Sequence, residues 1–117
     1  MKGPLVSVCI PSYNNADYIL ETINCILGQS YKNIELIVVD DNSSDGTLEL
    51  VKTIKDKRLK VYKNDTNLGM AGNWNRCLEL CTGKYMKLMC ADDLIHKRLI
   101  EKEVAIMEAH PEVNLVS

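Results

Sequence analysis

The chain has 117 residues, enough for one compact domain and too few for a second of ordinary size. Hydrophobic residues make up 46% and charged residues 26%, the balance of a soluble globular protein rather than a disordered or membrane-spanning one. With 14 basic and 16 acidic residues the net charge is −2, and no basic stripe is present, which argues against a nucleic-acid partner.

In chain order, the first apolar run is Leu5 to Ile10, stopped by Pro11. Ile19, Ile23, Ile26 and Leu27 then follow the 3.6-residue period of a helix, with Asn15 as its N-cap. A second strand runs from Ile34 to Val39 and ends at Asp40 and Asp41. Leu48, Val51 and Ile54 repeat the helical period, with Ser44 as cap, and Leu59 to Tyr62 reads as a short third strand. Lys52 to Lys63 is lysine-rich but interleaved with Asp56, so it reads as a solvated helix end and strand edge. Met70, Trp74, Cys77, Leu78 and Cys81 form a third helical stripe, ended by Gly83. Trp74 is expected to pack in the core on that stripe. Lys84 to Met89 is a fourth strand. Leu99, Glu103 and Met107 bracket a fourth helix with Ile100, Val104 and Met107 on its buried edge, followed by Pro111 and a fifth strand at Val113 to Val116.

Strands alternating with helices predict an α/β domain, a Rossmann-like parallel sheet with helices on both faces and right-handed crossovers. Ligands in such sheets bind beyond the carboxyl ends of the strands. There the sequence becomes polar: Pro11-Ser12-Tyr13-Asn14-Asn15 after strand one, Asp40-Asp41-Asn42-Ser43-Ser44-Asp45-Gly46 after strand two, and Asp92-Asp93 after strand four. Turns and caps account for Asn15, Ser44 and Gly46. Adjacent carboxylates are harder to explain that way, because like charges repel and a turn needs only one. Two such pairs point to a bound cation or a hydrogen-bonded ligand. Mg²⁺ or Mn²⁺ prefers carboxylate oxygens and leaves room for phosphate. Neither a P-loop nor a G-x-G-x-x-G turn is present. Phosphates would have to be held through a metal.

The run from Ser7 to Thr47 resembles the opening of family 2 glycosyltransferases, and Asn67-Leu68-Gly69, Asn75, Gly83-Lys84-Tyr85 and Ala91-Asp92-Asp93 continue the likeness. The resemblance implies the nucleotide-sugar-binding part of a GT-A fold and inverting transfer from a UDP-type donor with Mn²⁺ or Mg²⁺ to a saccharide or other acceptor. It places Pro11 and Tyr13 against the uracil and Asp40 on the base. Asp41 falls in the nucleoside region, Asp92 on the ribose and Asp93 on the metal. Two positions depart from the family pattern. Cys90 stands where many members carry a first aspartate, and Trp74 where many carry an arginine, with Arg76 a nearby substitute.

A general base is needed to deprotonate the acceptor. After Asp93 only Glu101, Glu103, Glu108 and Glu112 follow, on or beside an ordinary amphipathic helix, so no catalytic residue is assigned. The base is expected beyond Ser117, and the chain reads as a domain cut before its acceptor-binding part, able to bind donor without transferring sugar. The alternative is a non-catalytic nucleotide-binding or interaction module. A phosphoacceptor signalling domain is set aside because strand one lacks the acidic pair it requires. His96 reads as a helix-start surface residue, His110 as a cation at a helix end, and Tyr31, Tyr62 and Tyr85 as structural. The five cysteines, Cys9, Cys25, Cys77, Cys81 and Cys90, match no common zinc spacing and read as buried free thiols of a cytoplasmic protein. No run of about 18 apolar residues is present, and the N-terminus has no signal-peptide core. Any membrane association would come from parts outside this chain, and an open sheet edge offers a route to homo-oligomers.

Overall fold

The computed structural model describes residues 3–109, so the fifth strand expected at Val113 to Val116, together with His110, Pro111 and Glu112, lies outside the described residues. Four strands and four helices alternate: β1 (Val6–Ser12), α1 (Ile19–Leu27), β2 (Ile34–Asp40), α2 (Thr47–Val51), β3 (Leu59–Lys63), α3 (Gly69–Leu80), β4 (Tyr85–Leu88) and α4 (Leu99–Ala109). The sheet is parallel throughout, in the order β3-β2-β1-β4. The strand order reverses at β1, so the carboxyl ends of β1 and β4 diverge there and leave a crevice.

All seven residues of β2 are buried, as expected for a strand covered on both faces. One face carries Val6, Val8 and Ile10 of β1 and Leu36 and Val38 of β2. It packs against Ile19, Ile23 and Ile26 of α1, Val51 of α2, and Ile100, Val104 and Met107 of α4. The other face carries Cys9, Ile37 and Val39 and packs against Cys77 of α3. Each fully buried aliphatic side chain contributes about 1.5–3 kcal/mol relative to exposure. No described helix is long and apolar enough to cross a membrane.

Several local expectations are corrected. β1 continues through Pro11 to Ser12, because its pairing with β4 ends at Cys9–Leu88 and the proline meets no ladder on that side. Asn15 does not cap α1 with its side chain. Its carbonyl accepts the Tyr18 and Ile19 amides at 3.0 and 2.9 Å instead. Asp45, not Ser44, opens α2, accepting the Thr47 amide at 3.1 Å. α3 ends at Leu80, before Gly83. Gly83 is required for close approach, since a Cβ there would lie 2.7 Å from the Leu5 carbonyl and 2.8 Å from the Ser7 amide.

The largest difference concerns α3. Its buried residues are Asn73 and Cys77, while Met70, Trp74 and Leu78 are exposed by 76%, 39% and 41%. The helix is rotated relative to the apolar stripe because Asn73 is drawn inward, donating to the Val39 carbonyl at 3.1 Å and accepting from Asn64 at 2.9 Å. Trp74 is therefore not a core residue. Glu103 is likewise not a surface group: it is buried on α4 in an ion pair with Lys87 at 3.1 Å. On the α3 side, Glu35 is buried and accepts hydrogen bonds from Ser7, Lys60 and Thr82. Burial alone would raise its pKa, but the hydrogen bonds from Lys60, Ser7 and Thr82 outweigh it and hold the carboxyl at about 2. All five cysteines are free thiols. Cys9 and Cys77 are buried and Cys25 and Cys81 half-buried, whereas Cys90 is exposed, against the expectation of burial. Hydrogen bonds with Cys77 and Cys81, together with burial, push the Cys9 thiol far upward, so it is a packing group rather than a nucleophile.

Candidate nucleotide-binding cleft

A cleft of about 530 Å³ opens at the carboxyl ends of the strands. Three walls form it. Pro11, Ser12, Tyr13 and Asn15 come from the end of β1 and its loop, Asn67, Gly69, Met70, Asn73 and Trp74 from the start of α3, and Cys90, Ala91 and Asp92 from the segment after β4. Asp41 lines it from the end of β2.

The β1 loop is laced to the β2 loop. Asn14, at φ 53°, donates its amide to the Ser43 hydroxyl at 2.8 Å and accepts the Ser44 amide at 2.9 Å. Asn tolerates this left-handed backbone better than most residues. The Asn15 amide donates to Thr47 at 2.9 Å and the Ala16 amide to Asp45 at 3.1 Å. This lacing fixes the loop while Tyr13 remains 51% exposed at the cleft wall.

The two carboxylates after β2 do different things. Asp40 is buried and turned under the β2 loop, where it accepts the Ser43 amide at 2.9 Å and the Ser43 hydroxyl at 2.6 Å. It is not part of the cleft lining. Asp41, also buried, accepts Leu68 N–H at 2.7 Å, Gly69 N–H at 3.0 Å and the Asn64 amide at 2.9 Å. Leu68 offers no capping side chain, so Asp41 caps α3 from the neighbouring strand and meets the positive end of the helix dipole. A carboxylate has about four acceptor sites, and these three bonds leave one open on Oδ2. Asn67 adds a bond to the Asp41 carbonyl at 3.2 Å.

Asp92 and Asp93 are both exposed, and only Asp92 lines the cleft, while the Asp93 amide closes a turn onto the Cys90 carbonyl at 3.1 Å. The Cys90 thiol is pushed upward by partial burial and by the negative charges of Asp93 and Asp92. Among the described residues no group of three or more His, Cys, Asp or Glu side chains is arranged to hold a metal. Arg76 and His96 are exposed and lie outside the lining. Among the described residues, no Lys, Arg or His lines the cleft.

The structure thus brings Pro11, Tyr13, Asp41 and Asp92 to one cleft, while Asp40 and Asp93 are not part of its lining. Sequence reasoning gave no role to Asn64, Asn67 or Asn73, and placed Trp74 in the core. The usable signal for Asn73 was its spacing: it lies four residues before Cys77, on the same helix face.

Residues 7–117 match the family description glycosyl transferase family 2. The putative glycosyltransferase EpsE of Bacillus subtilis is 43% identical over 118 residues, covering 98% of this chain and 42% of that protein. Among solved structures, S. aureus TarS 1–349 in complex with UDP-GlcNAc superposes with a TM-score of 0.85 at 33% identity, covering 95% of this chain and 32% of that one. Mannosyltransferase PcManGT from Pyrobaculum calidifontis, in complex with GDP-Man and Mn²⁺, superposes with a TM-score of 0.72 at 34% identity, covering 78% and 28%. The chain therefore spans well under half the length of these relatives, and over that span its sheet and flanking helices are those of the GT-A nucleotide-binding half. On its family match and its likeness to these proteins, the chain belongs to glycosyl transferase family 2.

Proposed function

We propose that the cleft binds the nucleoside diphosphate of a UDP-type sugar donor, for inverting transfer of a hexosyl group to a saccharide or other acceptor. The observation that carries this is the lining itself: two carboxylates, three asparagines and two aromatic rings, with no side-chain cation among the described residues. A diphosphate cannot approach Asp41 and Asp92 unaided, so its charge calls for a divalent ion. Tyr13 and Pro11 offer the base an apolar face. The open site on Asp41 suits the imide N–H of uracil, with Asp40 supporting the loop from below. Asp92 suits the ribose hydroxyls.

The donor set fits Mn²⁺ or Mg²⁺ arriving with the diphosphate rather than a resident ion. Mg²⁺ in particular is commonly bound by one or two carboxylates plus substrate phosphate and water, and Asp93 with Asp92 can supply that much from the cleft mouth. Bound there, the ion would neutralise the diphosphate as leaving group. This chain's own residues hold and orient the nucleoside. No base for the acceptor hydroxyl is assigned to the described residues. The relatives run to more than twice this length, which is consistent with a separate acceptor part.

Calorimetry tests the reading. UDP should bind more tightly with Mg²⁺ or Mn²⁺ than with a chelator, and more tightly than GDP. Asp93→Asn should remove most of the metal-dependent gain. Equal affinity with and without metal would remove the ion, and preference for GDP would remove uracil. Binding without donor turnover in a protein of the relatives' full length would favour a non-catalytic binding module instead.

A further inference from the structure

We propose that the indole of Trp74 is the second aromatic wall of this cleft and stacks on the nucleobase from the side opposite Tyr13. The inference rests on the donor reading above and adds a recognition element to it.

Trp74 is the only tryptophan in the chain. It is 39% exposed and lines the cleft together with Tyr13, which is 51% exposed. Large aromatic side chains are mostly buried in folded proteins. Two half-exposed rings lining one cleft, one from the loop after β1 and one from α3, can offer a slot to a flat apolar group. The backbone under Trp74 is fixed. Its neighbour Asn73 is anchored to Val39 and Asn64, and the helix start is capped by Asp41. The ring is thus presented from a rigid helix, which keeps the ordering cost of stacking small.

The chemistry of the cleft selects the base as the stacked group. Among the described residues no cationic side chain lines the cleft, so none of them offers a guanidinium plane or an ammonium to lie on the base. Its charged groups, Asp41 and Asp92, suit N–H and hydroxyl donors at the edge of a nucleoside and leave its faces to the rings. Trp74 also lines a second hollow of about 240 Å³, together with Leu78, Met86 and Leu88.

Because Trp74 is the sole indole, its fluorescence reports on this wall alone. In the 117-residue chain with Mg²⁺, UDP should quench and shift Trp74 emission, while Mg²⁺-pyrophosphate, which lacks a base, should leave it nearly unchanged. Trp74→Ala should weaken UDP binding in calorimetry by roughly 5- to 100-fold, the range seen when a base-stacking aromatic is removed. Trp74→Phe should retain affinity within a few-fold, and circular dichroism should show both variants folded. Wild-type affinity in Trp74→Ala would overturn the inference, as would UDP that binds by calorimetry but leaves the emission unchanged. Equal quenching by pyrophosphate would overturn the base assignment. Absence of UDP binding to the unmodified chain would overturn the donor reading itself, and is distinguishable from the other results for that reason.

Discussion

Replacing Asp41 with alanine tests whether one carboxylate both builds the cleft and serves it. The side chain accepts three hydrogen bonds, from Leu68 N–H at 2.7 Å, Gly69 N–H at 3.0 Å and the Asn64 amide at 2.9 Å. Bonds to a charged acceptor are worth about 1.5–3 kcal/mol each. They do not add here, because Leu68 and Gly69 lie at the surface and water can replace the lost acceptor. Asn64 is buried and cannot recover as easily. Taking one buried loss of about 1–3 kcal/mol with one lost helix cap of about 0.5–2 kcal/mol, Asp41→Ala should cost roughly 2–5 kcal/mol. Against a typical total of about 5–15 kcal/mol the effect is large. Asp41→Asn keeps the shape but turns a donor toward one N–H group, and should cost about half as much. Urea unfolding followed by Trp74 emission measures both. An Asp41→Ala variant within about 0.5 kcal/mol of the wild type, the usual range of a neutral surface change, would refute the capping argument. If Asp41→Asn binds UDP normally while Asp40→Asn, still folded, does not, the base contact belongs to Asp40.

Two further predictions concern the frame. Glu35 is held at about 2 in the folded chain against an ordinary 4.5, so it stabilises the fold above its unfolded pKa. That contribution should fade as pH falls from about 4.5 toward 2, and Glu35→Gln should flatten the fall in urea-measured stability over the same window. Because Lys60 is half-exposed, only its share of the effect should weaken with salt. The Lys87–Glu103 pair, with side chains only 7% and 10% exposed, should behave as a buried ion pair. Glu103→Ala should destabilise by about 3–5 kcal/mol in urea unfolding, while the Lys87→Met, Glu103→Leu double variant should recover most of the loss. Equal costs for the single and double variants would show that packing, not charge, holds α4 to β4.

The four described strands and three of the four helical faces were legible because their cohesion is apolar and periodic. Ile19, Ile23 and Ile26 are spaced for one face of a helix, and β2 is apolar at every position before Asp40 except Glu35. The α3 face was not legible, because its inward position goes to a polar residue. Asn73 is buried only by virtue of Asn64 and the Val39 carbonyl, partners 9 and 34 residues away, which no local pattern contains. With Asn73 turned in, Met70, Trp74 and Leu78 lose the core and Trp74 reaches the cleft.

The choice between Asp40 and Asp41 shows where the missing information lay. Side chains alternate along a strand, so Asp40 shares a face with Val38 and Leu36, and Asp41 continues the face of Val39 and Ile37. Those faces are covered by α1, α2 and α4 on one side and α3 on the other. Right-handed crossovers put α1 and α2 on the same face, because β1 to β2 and β2 to β3 step in one direction across the sheet. The step from β3 to β4 runs back past β1, so the same handedness sends α3 to the opposite face. The cleft is walled by the start of α3, and Asp41 is the carboxylate on that face. Strand parity and crossover handedness together therefore select Asp41 as the carboxylate of the β2 pair that lines the cleft. Both are general rules, and the one fact they needed from outside the local sequence was the strand order β3-β2-β1-β4.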